Sequence, residues 1–312
     1  MTDALKTGVV GAGIFGGFHA GKLAANPRST FLGVFDPDTA RAAALAERFD
    51  AAVFSSAESL VDSVDAVIIA SPAPTHFDLA RRALESGRHV YVEKPVAMTT
   101  READRLVAMA EASSLKLQVG HQERFVLAAL SLPGEDAPER MEFSRCGPPS
   151  GRCEDVSVAL DLMIHDLDIA RMFGFDEPHH VAASGDYHEA VATFEFNGGR
   201  SCSFIASRRA EERRRQMSVF YADRTIEIDF IDRRITTKSD GAPVIEEFST
   251  RPHPALADAL GESVDAFIAS ILDRKPCIVD GRAGRRALAW ALTVDRVVEE
   301  TAALRADNRM IA

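Results

Sequence analysis

The chain lacks long apolar runs, and this absence argues against a membrane-spanning protein. No segment of its 312 residues approaches the roughly 20 consecutive apolar residues that a spanning helix needs. Residues 1–17 are apolar but rich in glycine, and they lack the basic start and continuous hydrophobic stretch of a signal peptide. We therefore expect a cytoplasmic protein with no membrane partner.

Cysteine is also scarce, and the four that occur are Cys146, Cys153, Cys202 and Cys277. They are scattered along the chain without a C-x-x-C pair, which argues against a zinc site or a redox dithiol. We expect them to be reduced thiols, as in a cytoplasmic protein, and we expect no bound metal.

Positive charge is in deficit, with 36 Lys and Arg against 47 Asp and Glu and a net charge of −11. Such a chain has little general attraction for phosphate backbones, so we expect no nucleic-acid partner. Hydrophobic residues make up 46% and charged residues 27%, which is a globular balance. A length of 312 residues exceeds one ordinary core and suggests two domains.

The first part of the chain alternates short apolar runs with helically spaced segments. The apolar runs predict strands at 7–11, 30–35, 65–71, 88–93 and 115–120. The segments between them predict helices at 39–49, 76–87 and 100–113. Continuous Val, Ile and Leu runs are typical of parallel strands covered on both faces. Residues 1–121 are therefore predicted to form a doubly wound α/β domain of the Rossmann type.

The pattern changes after about residue 120 to a short helical piece, a turn-rich stretch at 131–140 and a helix at 158–173. Successive strands follow between 181 and 248, including 190–196, 201–207, 216–222 and 225–231. Two helices, at 254–273 and 281–302, complete the chain. Strands in succession favour an open, mainly antiparallel sheet, so residues 122–312 are predicted to form a separate α+β domain.

A glycine-rich turn joins the first predicted strand to a helix, and its predicted cofactor contacts are Gly11, Gly13, Ile14, Phe15 and Gly16. The first glycine permits the tight turn, the second lets the backbone approach a pyrophosphate, and the third lets the helix pack close to the strand. Free N–H groups at the helix N-terminus then bind the anion. The spacing predicts a dinucleotide site, and a turn without a ligand is the alternative.

Asp36 ends the second predicted strand, 20 residues beyond Gly16, where a carboxylate binds the ribose hydroxyls of a dinucleotide. A carboxylate there repels a 2′-phosphate, and the next two residues include no arginine, so we expect NAD as the cofactor. Arg41 is the nearest candidate to hold a phosphate, which leaves NADP open.

Two later strands also end in polar or turn-forming residues. In open α/β sheets, ligands collect at the carboxyl ends of the strands. We therefore expect a nicotinamide ring near the residues at these ends, which are Ser71, Pro72, Glu93 and Lys94. We expect His76 to order the loop over the cofactor.

The predicted helix at 158–173 carries Asp161 and His165, which are four residues apart and share a face. Asp168 lies three residues further along the same stripe. Oxidation of an alcohol needs a base for the hydroxyl proton, and an imidazole suits that role near neutral pH. Lys94 is able to stabilise the developing alkoxide. The alternatives are a core histidine that pairs locally with a carboxylate and a solvated lysine.

Four segments together resemble the glucose–fructose oxidoreductase, inositol dehydrogenase and rhizopine catabolism family (Gfo/Idh/MocA): "GAGIFG", "ASPAPTH", "RHVYVEKPVAMT" and "DLMIHDLD". The resemblance implies an N-terminal Rossmann domain and a C-terminal α+β domain that binds substrate and forms oligomers through its sheet. It also implies an NAD(P)-dependent dehydrogenase of sugars, polyols or nucleotide sugars, present as a homo-oligomeric dimer or tetramer.

The resemblance assigns the family's lysine to Lys94, its acid to Asp161 and its histidine to His165. His165 is then the general acid/base, Lys94 contacts the nicotinamide ribose and the substrate hydroxyl, and Asp161 binds substrate or positions His165. The chain departs from the family at "SVAL" (157–160), where many members have a Gly-Gly pair, and at Ala73, where many have asparagine. Both departures bear on substrate fit.

Segments 119–125 and 207–230 are similar to a subgroup that oxidises the 3-hydroxyl of UDP-N-acetylglucosamine-type sugars. His121 and Arg124 are predicted substrate contacts. A basic cluster is predicted either to meet a diphosphate or to form an exposed hairpin, and it contains Arg208, Arg209, Arg213, Arg214 and Arg215. The alternative functions are a non-catalytic NAD-binding sensor or scaffold and a dehydrogenase or reductase of a free polyol or a non-sugar substrate.

Overall fold

The computed structural model describes residues 4–134, 136–149 and 155–311, so the prediction for Cys153 lies outside the described residues. The chain divides into two compact units. The first consists of Met1–Phe125 and Asp258–Leu288, and the second of Val126–Ala257 and Ala289–Ala312. Every helix among the described residues is too short or too polar to cross a membrane.

The first unit contains a six-stranded sheet with the strand order β3-β2-β1-β4-β5-β6, and all its pairs are parallel. Its strands are β1 (Leu5–Val10), β2 (Ser29–Phe35), β3 (Ala52–Val53), β4 (Ala66–Ile69), β5 (His89–Val92) and β6 (Leu117–Val119). The predicted doubly wound sheet is confirmed. The sequence prediction omitted β3 because its two residues are exposed and form no apolar run.

Helices separate the strands of this sheet, and they are α1 (Ile14–Ala25), α2 (Thr39–Arg48), α3 (Ala57–Ser63), α4 (His76–Glu85) and α5 (Thr100–Ala112). Local capping explains where several of them begin. Asp38 caps α2 by accepting hydrogen bonds from the N–H groups of Ala40 and Arg41. Thr99 and Glu102 form a reciprocal capping box at α5.

Helix α9 (Ala259–Leu272) also belongs to the first unit, although the predicted boundary at residue 121 placed it in the second domain. Its residues Val264, Phe267 and Ile268 are buried in the same core as Val9 and Tyr91. The Tyr91 hydroxyl is also 3.1 Å from the Ser263 hydroxyl, within hydrogen-bond distance. Apolar burial thus assigns α9 to the parallel sheet, which sequence order alone does not indicate.

The second unit contains an eight-stranded sheet with the order β14-β13-β12-β11-β7-β10-β9-β8. All its pairs are antiparallel except β7 with β10, so the predicted open, mainly antiparallel sheet is confirmed. Its strands are β7 (Arg140–Cys146), β8 (His180–Gly185), β9 (Glu189–Glu195), β10 (Ser201–Ser207), β11 (Arg214–Phe220), β12 (Thr225–Asp229), β13 (Arg234–Lys238) and β14 (Val244–Glu247).

Strand β7 is central in this sheet, but the sequence analysis predicted no strand there. Its buried side chains are Met141, Phe143 and Arg145, so a charged residue interrupts the apolar alternation. The guanidinium of Arg145 is neutralised by Asp166, with Nη2 and Oδ1 2.7 Å apart. Burial of Arg145 depends on its pairing with Asp166, because an unpaired charge is not stable at such a position. The sequence alone does not show this pairing, so the alternation of buried residues is not recognisable from it.

The remaining helices are α6 (Glu123–Ala129), a π-helical segment (Ala159–Met163), α7 (Ile164–Met172), α8 (Pro254–Ala257) and α10 (Gly281–Ile311). The sequence predicted one uninterrupted helix at 158–173. The structure instead begins that region with a π-helical turn, in which the N–H of Ile164 donates to the carbonyl of Ala159. This wider turn lies next to His165, and such turns are frequent at functional sites.

Candidate functional site

The glycine turn between β1 and α1 is shaped by its own backbone at two positions. Gly11 has φ of +101°, and a Cβ there would lie 2.6 Å from the carbonyl oxygen of Ala70. A Cβ on Gly16 would lie 1.8 Å from the carbonyl oxygen of Gly11. A Cβ on Gly13 would meet nothing within 4 Å. Gly11 and Gly16 are therefore required by the loop itself, whereas Gly13 leaves open space where a ligand can approach.

Asp36 supports this turn from the end of β2. One carboxylate oxygen accepts the N–H of Ala12 at 2.7 Å, and the other accepts the N–H of Asp38 at 2.8 Å. Arg41 is more distant, with Nη2 3.7 Å from Asp36 Oδ1, and is bonded to Asp38 at 2.9 Å. The open glycine, the helix N-terminus and a fixed carboxylate fit the pyrophosphate and adenosine ribose of a dinucleotide.

Replacing Asp36 with alanine is expected to weaken NAD binding and to raise the affinity ratio of NADP to NAD at least about tenfold. The reason is the loss of the carboxylate that is predicted to repel a 2′-phosphate and to bind the ribose. Dissociation constants for both nucleotides measure the effect. Asp38→Ala is the matched control, because that carboxylate caps α2. An unchanged ratio in Asp36→Ala would contradict the assignment.

Residues after β4 and β5 meet around the imidazole of His76, which is 1% exposed. Its Nδ1 lies 2.7 Å from the carbonyl oxygen of Pro95, and its Nε2 lies 2.9 Å from that of Ser71. Burial lowers the pKa of His76, which favours the neutral ring. Pro72 is exposed and Lys94 is half-buried at these strand ends. The structure thus brings the two predicted strand ends together.

Glu93 is buried, and its carboxylate faces into the first unit. Its Oε1 lies 2.7 Å from Nε2 of His19 and accepts a hydrogen bond from Gln122 at 3.2 Å. His19 lies on α1 with no exposed surface, and the sequence analysis did not select it. The available signal was its position three residues after Gly16, on the helix face that packs against the sheet.

Four other predicted contacts of the first unit lie at the starts of α1 and α6 or just before α6. Ile14 and Phe15 are 54% and 43% exposed at the start of α1, an exposure that leaves them accessible to a ligand. His121 is buried after β6, where its N–H donates to the carbonyl of Val119 at 2.8 Å. Arg124 is half-buried in the first turn of α6. Their roles stay predictions.

Asp161 and His165 lie in the second unit, on the π-helical segment and α7. Asp161 is 7% exposed, and its Oδ2 is 3.7 Å from Nη1 of Arg208. Arg208 also donates from Nη2 to the carbonyls of Val156 at 3.0 Å and Tyr187 at 2.8 Å. His165 is half-buried. A buried carboxylate beside a guanidinium therefore precedes a half-buried imidazole by four residues.

Ser157 begins the segment 157–160, at which the chain departs from the family pattern, and its side chain caps the helix that follows. Its Oγ accepts the N–H of Leu160 at 3.2 Å and donates to Asp295 at 2.7 Å. Burial raises the pKa of the Asp295 carboxyl above its usual value. The departure from the family pattern thus supplies a helix cap that glycine lacks.

Arg145 and Asp166 form a second buried contact of this helix that the sequence analysis missed. Arg145 Nε lies 3.1 Å from both Asp166 oxygens, and Nη2 lies 2.7 Å from Oδ1. This bidentate pair ties α7 to β7 next to His165. Asp168, which the sequence placed on the His165 stripe, is 1% exposed.

The arginine cluster is not one surface, because Arg208 is 7% exposed whereas the other four are exposed. It is not a hairpin either, since β10 and β11 lie on opposite sides of β7. Arg209 pairs with Asp186 at 2.6 Å on the surface. Arg208 therefore supports Asp161, and the accessible arginines are Arg209, Arg213, Arg214 and Arg215.

Replacing Arg208 with glutamine is expected to lower the free energy of unfolding by about 2–4 kcal/mol, because the buried Asp161, the Val156 carbonyl and the partly buried Tyr187 carbonyl lose a charged partner. Chemical denaturation measures this change. Arg209→Gln is the matched control, and its exposed ion pair is worth less than about 1 kcal/mol. Equal losses in the two variants would contradict the distinct role of Arg208.

Known proteins are similar to this chain over both of its compact units. The family model described as "Oxidoreductase family, NAD-binding Rossmann fold" (GFO_IDH_MocA) matches residues 5–121. UDP-N-acetylglucosamine 3-dehydrogenase of Acidithiobacillus ferrooxidans is 36% identical over 307 residues, which cover 95% of this chain and 97% of that protein. Inositol 2-dehydrogenase of Rhizobium meliloti is 25% identical, over 95% of this chain and 97% of that protein.

Solved structures show the same similarity. The Acidithiobacillus ferrooxidans enzyme superimposes with a TM-score of 0.87 and covers 95% of this chain and 98% of its own. Scyllo-inositol dehydrogenase from Lactobacillus casei, solved with bound NAD(H) and scyllo-inositol, shares the fold with a TM-score of 0.81 at 20% identity, over 96% of this chain and 98% of its own. The resemblance seen in the sequence is confirmed, and the chain belongs to the Gfo/Idh/MocA family as an NAD-dependent oxidoreductase.

Proposed function

We propose that the chain oxidises a sugar hydroxyl, specifically the 3-hydroxyl of a UDP-N-acetylglucosamine-type nucleotide sugar. The observation that carries the proposal is the 36% identity, over 95% of this chain, to an enzyme named for that reaction. The described side chains support it, because the chain has a glycine turn that fits a dinucleotide together with a buried carboxylate and a half-buried imidazole four residues apart.

In this proposal, the turn around Gly13 and the carboxylate of Asp36 would hold NAD, which would supply the acceptor for the hydride of the sugar carbon. The half-buried His165 takes the hydroxyl proton, because an imidazole suits that transfer near neutral pH. Lys94 donates a hydrogen bond to the same oxygen and stabilises the charge that develops there. Asp161 binds a neighbouring substrate hydroxyl or orients His165, and Arg208 keeps that carboxylate in place.

The nucleotide part of the substrate carries a diphosphate, which needs cationic partners. The exposed arginines of the cluster are able to supply charge-assisted contacts, and they are Arg209, Arg213, Arg214 and Arg215. His121 and Arg124 are proposed contacts of the sugar. Uncharged polyols do not need these arginines, so the cluster favours a nucleotide sugar over a free sugar.

A substrate panel tests the proposal. The purified protein is incubated with NAD and, separately, with UDP-N-acetylglucosamine, N-acetylglucosamine, myo-inositol and scyllo-inositol, and NADH formation is followed. We expect turnover with the nucleotide sugar alone. Turnover with an inositol alone would favour the polyol reading, which relatives named inositol 2-dehydrogenase support. Binding of NAD without turnover on any of these would favour the sensor or scaffold.

We also propose a cytoplasmic homo-oligomer, either a dimer or a tetramer. The support is an exposed apolar pair on the eight-stranded sheet, where Val191 and Ile205 lie opposite each other on β9 and β10. Their side chains are 48% and 45% exposed, and such apolar surface is stabilised by burial against a second copy. The molar mass in solution tests this proposal, and a monomeric mass would contradict it.

A further inference from the structure

Lys94 lies between two residues that are each held by a buried histidine. The Glu93 carboxylate contacts His19, and the Pro95 carbonyl contacts His76. We propose that His19 and His76 are positioning residues that together fix the backbone of Lys94 for reaction. The proposal rests on the role given to Lys94 above and goes beyond it, because neither histidine was placed in the reaction.

His19 holds the residue before Lys94. Its Nε2 is 2.7 Å from Oε1 of Glu93, and Gln122 donates to the same oxygen at 3.2 Å. The other carboxylate oxygen lies under Gly120, where a Cβ would come within 2.6 Å. A buried carboxylate needs such donors, because burying a charged group without hydrogen-bond partners costs a large free energy. These contacts therefore hold the Glu93 carboxylate in place.

His76 holds the residue after Lys94. Both of its ring nitrogens face carbonyl oxygens, those of Pro95 and Ser71. Burial lowers the pKa of His76, whereas the hydrogen bonds to these two carbonyls and the charge of Glu93 raise it. A carbonyl oxygen only accepts hydrogen bonds, so the 2.7 Å contact with Pro95 needs an N–H at Nδ1.

The two histidines come from different helices, α1 and α4, and both are buried. Their side chains are 0% and 1% exposed, so they do not contact a substrate themselves. They act through the backbone on either side of Lys94. A lysine side chain is long and flexible, so the position of its ammonium depends on how firmly its Cα is held. A shift of about 1 Å at a reacting group is able to cost about 100-fold in rate.

The His19 contact is tested with His19→Leu, which removes the donor, and His19→Gln, which keeps an N–H at a similar reach. We expect His19→Leu to lower kcat about 10- to 100-fold, with the NAD dissociation constant changed less than about threefold. His19→Gln is expected to restore kcat to within about threefold of the original chain. Thermal unfolding of each variant separates loss of fold from loss of positioning.

The His76 contact has a sharper test, because two amides mimic its two nitrogens. Asparagine places its N–H near the position of Nδ1 and keeps the contact with Pro95. Glutamine places its N–H near Nε2 and keeps the contact with Ser71. We expect His76→Asn to retain at least about tenfold more kcat than His76→Gln. A higher kcat in His76→Asn than in His76→Gln, at similar unfolding temperatures, supports the positioning role. Equal kcat values in the two variants overturn it.

Lys94→Ala is the reference that separates this inference from the proposed function. The positioning role alone would be overturned if Lys94→Ala lost much of its kcat while every histidine variant kept the kcat of the original chain. Those variants are a folded His19→Leu, His19→Gln, His76→Asn and His76→Gln. Wild-type kcat in Lys94→Ala would instead overturn the role of Lys94. If His19→Leu does not fold, the comparison of His76→Asn with His76→Gln decides the inference.

Discussion

Replacing His165 with alanine is expected to lower turnover at least about 100-fold while NAD still binds. The imidazole is the group proposed to take the substrate's hydroxyl proton, and it lies in the second unit, whereas the dinucleotide turn lies in the first. Loss of the ring therefore removes proton transfer and leaves the turn around Gly13 unchanged. Steady-state rates at saturating NAD, together with the NAD dissociation constant, measure the two effects separately.

His179→Ala is the matched control for this prediction. His179 also lies in the second unit, and its side chain is 54% exposed beside Glu195, with 3.8 Å between Nε2 and Oε2. We expect its removal to change turnover less than about twofold, as for other surface substitutions. An unchanged rate in His165→Ala, or equal losses in the two variants, would rule out the proton-transfer role.

Alanine substitutions at two glycines of the β1–α1 turn are expected to differ in their effect on stability but not on NAD binding. Gly16→Ala is expected to lower the free energy of unfolding without cofactor by about 3 kcal/mol or more, because its Cβ would lie 1.8 Å from the Gly11 carbonyl oxygen. Gly13→Ala is expected to change it by less than about 1 kcal/mol, since its Cβ meets nothing within 4 Å. Both variants are expected to weaken NAD binding at least about 100-fold.

Denaturation without cofactor and titration with NAD measure these two properties. Gly17→Ala is the control, because its Cβ would make an ordinary contact of 3.7 Å with Leu45. We expect Gly17→Ala to bind NAD as tightly as the original chain. Strong NAD binding by Gly13→Ala would show that no pyrophosphate approaches there, and full stability of Gly16→Ala would contradict the described turn.

Much of the fold was predictable from local patterns, and the exceptions have physical causes. Buried parallel strands such as β1 and β4 are continuous apolar runs, which the sequence displays directly. Strand β7 was missed because Arg145 occupies a buried position that only a distant partner, Asp166, makes tolerable. Helix α9 was predicted at its place in the chain, but its apolar face gives no information about which sheet it covers, and it packs in the core of the first unit.

The candidate site shows the same division. The glycine turn, Asp36 and the Asp161–His165 spacing are local, so sequence spacing alone identifies them. The contact of His19 with Glu93 joins residues 74 positions apart, and no spacing rule indicates it. The same holds for Arg208, whose sequence neighbours are exposed arginines but whose own side chain is buried against Asp161. Long-range contacts between charged groups therefore need the three-dimensional structure.

The most direct test of the account follows the hydride itself. UDP-N-acetylglucosamine carrying deuterium at C3 is incubated with the protein and NAD, and the reduced nucleotide is analysed by mass spectrometry and NMR. We expect deuterium to move to the nicotinamide ring as the 3-ketone forms, and we expect His165→Ala to abolish this transfer. Reduced nucleotide without deuterium, or no reduced nucleotide from this sugar while NAD is bound, would contradict it.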